Sequence, residues 1–451
     1  MGLVGRTLFQ IAQRVRGSHS YRALSQLRGN PTLSPAAVAQ LQLDMLRRML
    51  QHAEKNVPYY RELFKQHGIR ADDIRSPADV RRIPVLTKDI VRARLDDLIS
   101  ETISKEQLLR FHSGGSTGVP LRFYHTREYV DESDAATYRA LEQCGWHPGD
   151  MIAFFWGYND KLYRMPRWEF ELRQYLRRSY QLDPFTADAD AMRDWANRWR
   201  RIQPVVAYGY ASTIGRFASF VLEHNISLPP LKGVFTTAEK LYPAQRKAIE
   251  RAFQCRAFDC YGSSEIRNIA NECPQGRMHI NADFALVELD ENAIGSDGTA
   301  PFLLTSLRSF GMPFVRYRNE DCGRLVDGSC TCGSGFPLVD LNISRVTDHF
   351  IFPGGRIVHG EYFTHLFYGA DGVETFQFHQ LTPTHMIVYV VPSPGAKREV
   401  LRGIAARVVA EVTALSREPI VVDVREVESI PLSAAGKHRF TRSDVPLPAA
   451  S

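Results

Sequence analysis

Between residues 151 and 261 short apolar runs alternate with amphipathic stretches, and this alternation limits the fold more than any other property of the chain. Residues 151–155, 205–207 and 233–236 read as buried strands, and residues 214–223 read as a helix that returns the chain between the last two. Strand, helix and strand in succession imply a mostly parallel sheet with covering helices, because parallel neighbours need a crossover. Beyond Asp348 the pattern resets. Residues 376–378, 386–391 and 420–427 are strand-like and 399–412 have helical spacing. The expectation is an α/β protein with a large layered domain at 36–346, a small mobile α+β lid at 347–451 and a basic segment at 1–35. Val38, Leu41, Met45, Met49 and Ala53 predict one long amphipathic helix over 36–66, opening the large domain.

At 451 residues, with 44% hydrophobic and 24% charged residues, the chain has ordinary globular composition and length for more than one core. No apolar run is long enough for a bilayer span. Arg6, Gln10 and Arg14 interrupt the first apolar residues, which argues against a signal peptide. Arg6 also stands where a myristoylation signal wants Ser or Thr. A cytoplasmic protein is expected. The balance of 56 basic against 50 acidic residues, net +6, does not suggest a nucleic-acid partner. Arg6, Arg14, Arg16, Arg22 and Arg28 nevertheless precede the first acidic residue, Asp44. A surface helix with a solvated face is the favoured reading of that segment; contact with an anionic membrane or a partner is the other.

The run FHSGGSTGVPL at 111–121 places Ser113, Gly114, Gly115, Ser116, Thr117 and Gly118 in one small, hydroxyl-bearing loop. Glycines let backbone N–H groups approach anionic oxygens, and the hydroxyls add donors, so the loop suits a polyphosphate; a plain turn between strands is the alternative. It is not a Walker A loop, since no Gly-Lys-Ser/Thr follows. Seven cysteines do not suggest a disulfide framework. Cys330 and Cys332 share a Gly-rich hairpin, and Cys273 with His279 occupies a second loop. Together they have the composition of a closed, structural Cys₃His zinc site. Cys322 is a competing ligand, and free thiols in a turn are the simpler reading. Cys144, Cys255 and Cys260 read as small buried hydrophobes.

Downstream lie Tyr261-Gly-Ser-Ser-Glu265, Val315-Arg-Tyr-Arg-Asn-Glu-Asp321, Arg345-Val-Thr-Asp348 and Gly436-Lys437. With the loop at 113–118, these motifs resemble in order and rough separation those of the adenylate-forming ligases. The resemblance runs from about residue 40 to 445 and is closest to the phenylacetate–CoA ligase branch, including its CapK-type capsule-biosynthesis members and the coenzyme F390 synthetases. Asn56-Val-Pro-Tyr-Tyr-Arg61 is a further mark of that branch. The resemblance implies ATP as cosubstrate and Mg²⁺ held by Glu265 and Thr117. It implies a nucleotide pocket with Tyr261, Gly262 and Ser263 at the adenine, Glu239 in the adjoining turn, Asp321 on the ribose and Arg345 on ribose or phosphate. Lys437 would be the catalytic cation at the α-phosphate. Asn319-Glu320 and Ser344 depart from the usual Thr-Gly and Gly. The lid would rotate on a hinge near Thr347 or Asp348.

The acyl pocket is expected near Phe155, Trp156, Tyr208, Tyr210, Ser212 and Ala238, an aromatic inventory suited to an aryl or other compact acid. Lys161, Arg164, Arg167, Arg173, Arg177 and Arg178 offer an anionic-substrate site or, more simply, a solvated helix face. The implied acceptor is coenzyme A, with an amine as the alternative, as in an amide-forming ligase. A non-catalytic nucleotide-binding scaffold is a third reading. The oligomeric state is open, with a homodimer as one option.

Overall fold

The computed structural model describes residues 3–15, 17–112, 121–156, 165–183, 188–294, 298–341, 349–367, 370, 372–393, 395–431 and 439–446. Two helices, Leu3–Val15 and Ser20–Leu27, precede the one expected to open the fold. Phe9 is buried edge-to-face against Tyr21 and Tyr138, and Leu24 and Leu27 pack with Tyr129, Ala136 and Phe284, so the basic segment is docked on the large domain. The helix expected over 36–66 is two helices, Pro35–Asn56 and Pro58–His67. Pro58 has no N–H to continue the first, and at N1 it starts the second. Gly68, at φ +60°, closes that second helix in the left-handed conformation.

A short antiparallel pair, β1 (Leu109–His112) and β2 (Arg122–His125), flanks the small-residue loop. The main sheet has eleven strands. Its first half is parallel, in the spatial order β4-β3-β5-β6-β7, with β3 (Ile152–Phe155), β4 (Ser179–Leu182), β5 (Val206–Tyr210), β6 (Gly233–Thr237) and β7 (Arg256–Tyr261). The second half is antiparallel, β8-β9-β13-β12-β11-β10. These strands are β8 (Ala270–Glu272), β9 (Met278–Ile280), β10 (Ala285–Leu289), β11 (Ala300–Ser306), β12 (Tyr317–Val326) and β13 (Leu338–Leu341). The expected parallel sheet is thus one half of a mixed one. From β7 onward the described connections carry no α-helix, and short connections pair strands antiparallel.

Helices Ala189–Ile202, Ala211–Glu223 and Pro243–Phe253 cover one face of the parallel half, where Trp195, Trp199 and Phe217 surround Phe155 and Phe253 stacks behind Trp199. Each such ring contributes about 1.5–3 kcal/mol by burial. Gly209 permits the close approach of β3 to β5: a Cβ there would lie 2.0 Å from the Phe155 carbonyl oxygen.

The C-terminal unit has its own core, built from Phe350, Phe363, Phe376, Phe378, Val408 and Val412. It contains a hairpin of β14 (His349–Ile351) and β15 (Ile357–His359). It also contains a four-stranded sheet ordered β18-β17-β16-β19, from β16 (Val373–Thr382), β17 (His385–Pro392), β18 (Val421–Glu426) and β19 (Thr441–Ser443). Helix Arg398–Ser416 packs on that sheet. The expected hinge at Thr347 or Asp348 lies outside the described residues. Among the described residues no helix is long and apolar enough to cross a membrane.

Candidate active site and metal cluster

Two buried polar clusters meet where β7 ends beside β12. The Tyr261 hydroxyl donates to Asp321 Oδ2 at 3.0 Å, and Asn319 Nδ2 donates to both the Tyr261 oxygen (2.8 Å) and Asp321 Oδ2 (2.9 Å). Two residues earlier on the same strand face, Tyr317 donates to Glu265 Oε1 at 2.9 Å. Tyr317, Asn319 and Asp321 alternate along β12, so period-two geometry aims all three at the Tyr261–Glu265 loop. The sequence departure at Asn319 thereby supplies the amide that orients Asp321. Tyr261 packs against Phe302, which fixes its ring beside the carboxylate.

The loop itself is held from several sides. Ile266 N–H donates to Ser263 Oγ at 3.0 Å, closing a tight turn, and Arg267 N–H donates to the Tyr129 hydroxyl at 2.9 Å. His125, at the end of β2, donates from Nε2 to the Ser264 carbonyl at 3.0 Å. Burial pushes the His125 imidazole down to about 3, so the ring is neutral and this donor fixes its tautomer. The ring sits among Phe111, Phe123 and Tyr129, and Nδ1 has no hydrogen-bond partner among the described residues. Tyr60, from the Asn56–Arg61 motif, holds the segment that leads into β12: its hydroxyl donates to the Pro313 carbonyl (3.1 Å) and accepts from Val315 N–H (3.0 Å).

At the C-terminal ends of β3 and β5 four rings form an aromatic wall. Phe154 stacks on Tyr208 at 5.5 Å and Trp156 stacks on Tyr210 at 4.9 Å. Open α/β sheets place ligands at this edge. Phe155 does not join the wall. Strand alternation turns it to the opposite face, into the helix-side core, and this corrects its expected place in the acyl pocket. Ser212 opens the helix Ala211–Glu223, and its N–H donates to Glu239 Oε2 at 2.8 Å, so Glu239 sits on a helix N-terminus. Ala238 holds φ +66° just after β6, turning the chain from the strand toward Glu239. Of the basic residues at 161–178, Lys161 and Arg164 lie outside the described residues; Arg178 is buried and donates to the Gly149 carbonyl, and Arg173 pairs with Glu169 on the helix surface.

Cys273 after β8, His279 on β9 and Cys330 and Cys332 in the β12–β13 connection converge, with their ligand atoms all within 4.8 Å of one another. Cys273 Sγ lies 3.7 Å from Cys330 Sγ, and Cys332 Sγ lies 3.4 Å from His279 Nε2. Tetrahedral zinc, with Zn–S of about 2.3 Å and Zn–N of about 2.0 Å, places such atoms about 3.8 and 3.5 Å apart. His279 donates from Nδ1 to the Phe336 carbonyl at 2.8 Å, which turns Nε2 into the cluster. Gln275 N–H and Ser334 N–H donate to the sulfurs of Cys273 and Cys332, as suits thiolates. The donor set fits a metal ion. Cys322, on β12, is not in this cluster.

Glu265 is the described member of the expected Mg²⁺ pair, a buried carboxylate whose Oε1 is steadied by Tyr317. One carboxylate with substrate phosphates and water is an ordinary magnesium environment, so this residue fits the ion. Thr117, with Ser113, Gly114, Gly115, Ser116 and Gly118, lies outside the described residues, as do Arg345 and Lys437. Sequence reasoning missed Tyr317, Asn319, Tyr60 and His125 as site residues, although the first two were visible as alternate positions before Asp321.

The fold is that of the adenylate-forming ligases. A solved 2-hydroxyisobutyryl-CoA ligase, in complex with 2-HIB-AMP and CoA, superposes with a TM-score of 0.61 over 92% of each chain, at 17% identity. Residues 350–444 match the family model of the CapK C-terminal domain. Protein CapK of Staphylococcus aureus is 23% identical over 95% of this chain and 93% of its own length. The phenylacetate-coenzyme A ligase of Escherichia coli strain K12 is 27% identical over 66% of this chain and 69% of its own. The chain is thus similar along its length to CapK and over about two thirds of it to phenylacetate-coenzyme A ligases, on a fold shared with solved acyl-CoA ligases.

Proposed function

We propose that this protein activates a compact carboxylic acid with ATP and passes the acyl group to coenzyme A. The observation that carries the reading is the meeting of Tyr261, Glu265, Asn319 and Asp321 from distant parts of the chain in one buried, mutually oriented polar site. The acid binds along the wall of Trp156, Tyr208 and Tyr210, with its carboxylate toward the nucleotide. Asp321 accepts from the ribose hydroxyls, and Tyr261 lies at the adenine. The small-residue loop at 113–118 donates backbone and hydroxyl hydrogens to the phosphates. Mg²⁺, held by Glu265 and Thr117, supplies neutralisation of phosphate charge. Lys437 approaches the α-phosphate on the C-terminal unit and meets the charge that develops there.

A carboxylate oxygen then bonds to the α-phosphorus as pyrophosphate leaves, giving an acyl-adenylate. In the second step the acceptor thiol loses its proton, its sulfur bonds to the acyl carbon, and AMP leaves. Holding the reactants in line supplies much of the rate. The reading of the Cys273–His279–Cys330–Cys332 cluster is a structural zinc site that ties the β8–β9 turn to the β12–β13 hairpin.

The test is pyrophosphate release from MgATP across aryl, aliphatic and sugar acids, with and without coenzyme A, for wild type and Lys437→Ala. One acid class should support release, Lys437→Ala should lower it by about 10²-fold or more, and coenzyme A should accelerate turnover. Acceleration by an amine instead would transfer the second step to amide formation. Silence with every acid while ATP still binds would support the scaffold reading.

A further inference from the structure

The apolar core of the C-terminal unit draws on residues between 350 and 440 alone, whereas charge crosses from this unit to the large domain. Arg417 Nη1 lies 3.9 Å from Asp188 Oδ2. Arg417 ends the helix Arg398–Ser416 in the left-handed conformation, at φ +58°. Arg356, just before β15, donates to the Leu415 carbonyl, which holds it beside that helix end. It is only 7% exposed, and its Nε has no hydrogen-bond partner among the described residues. Burial and the neighbouring Arg417 push this guanidinium below its usual value, while Asp188 and Asp183 act the other way. A buried cation needs countercharge, and here it comes from the other unit.

Asp188 is held in place by its own domain. Its Oδ1 accepts from Ala191 N–H at 2.8 Å, so it caps the helix Ala189–Ile202 and stands at the positive end of the helix dipole, with Oδ2 turned to Arg417. Arg216, on the helix after β5, also interacts with Asp188, although burial pushes it down to about 10. One carboxylate thus acts on three guanidinium groups, two of them from the C-terminal unit. The rim that it occupies adjoins the aromatic wall. Leu182, at the end of β4, pairs with Phe155, the residue before Trp156, and Gln181 donates to the Trp156 carbonyl at 3.1 Å. An ion pair whose arginine is 69% exposed is weak and screened by salt, as suits a contact that has to open.

We propose that Asp188 is the seat on which Arg417 and Arg356 hold the C-terminal unit, and that the unit leaves this seat in passing between the two half-reactions. The second part rests on the function proposed above; the contact does not. The experiment is hydrogen exchange of the full chain, read by mass spectrometry. Asp188→Asn removes the charge and keeps an oxygen for the helix cap, and Arg417→Asn removes the cation with a residue that accepts a positive φ. Asp188→Asn should raise exchange at 412–418 about threefold, and Arg417→Asn should do the same at 191–194. Raised salt should do both in the wild type, and the double variant should add little to either single one. A response confined to the substituted unit, or none, overturns the seat. So does an Arg417→Lys variant, its charge intact, that loosens as much as Arg417→Asn. In turnover with the acid found by the pyrophosphate screen, Arg417→Asn should change the ratio of acyl transfer to pyrophosphate release about threefold. An unchanged ratio overturns the departure between steps. If no acid releases pyrophosphate, the proposed function and that departure fall together, while the exchange result still decides the seat.

Discussion

Tyr317 joins the two polar clusters of the proposed nucleotide site, because its hydroxyl holds Glu265 while its strand presents Asn319 and Asp321. A hydrogen bond to a charged group is worth about 1.5–3 kcal/mol. Tyr317→Phe should therefore leave the fold intact but lower pyrophosphate release about tenfold, chiefly through a higher Mg²⁺ requirement, measured by titrating Mg²⁺ at saturating ATP. An unchanged Mg²⁺ dependence would detach Glu265 from the ion. His125 gives a second prediction, in pH. The folded protein keeps this ring neutral down to about 3, whereas the unfolded chain protonates it near 6.5. Stability from this group is complete above that value and falls as pH drops toward 3, by about 1.4 kcal/mol per pH unit. Urea unfolding at pH 7 and pH 5 should show this loss, and His125→Asn should flatten it by about 2 kcal/mol. Neither residue was marked in the sequence. Tyr317 sits in a legible motif without a role, and a lone histidine before a helix carries no signal until the fold buries it.

Among the elements, those with strong periodicity were legible and those set by tertiary pairing were not. The strands at 151–155 and 205–207, the helix at 214–223 and the strand at 420–427 lie where apolar spacing puts them. The break at Pro58 follows from proline chemistry and was overlooked in favour of continuous spacing. The antiparallel half of the sheet was hidden because partner choice there depends on connection length rather than local pattern. Phe155 shows the same limit at one position: alternation says that it and Phe154 face opposite ways, but only the packed helices say which way is inward.

The hairpin with Cys330 and Cys332 is an element whose order has two sources. A Cβ on Gly335 would lie 2.1 Å from the Leu33 carbonyl oxygen, so the hairpin is pressed on the N-terminal segment. The four-residue cluster ties its other side to Cys273 and His279. Metal analysis of protein purified without chelator should find about one zinc per chain. Cobalt exchange should give a thiolate charge-transfer band, and Cys330→Ser should lose both and unfold at lower temperature. A metal-free protein of equal stability would leave the thiols as plain hairpin residues.

For the whole molecule, the eleven-stranded sheet carries the aromatic wall at the ends of β3 and β5 and sets the Tyr261–Glu265 loop against β12, and Lys437 falls in the C-terminal part of the sequence. This division suits a reaction in which the acid and nucleotide stay fixed while a separate unit brings the cation. The order of motifs pointed to this fold from sequence. Substrate identity was not legible, since the acyl wall is made of rings that any compact acid could meet.

The claim at the centre of this account is attack by a carboxylate on the α-phosphate, and oxygen transfer tests it most directly. With the acid identified by the pyrophosphate screen and labelled with ¹⁸O in its carboxyl group, turnover with ATP and acceptor should place one labelled oxygen in AMP and none in pyrophosphate. Label in pyrophosphate or inorganic phosphate, or turnover to ADP, would contradict adenylation by this protein.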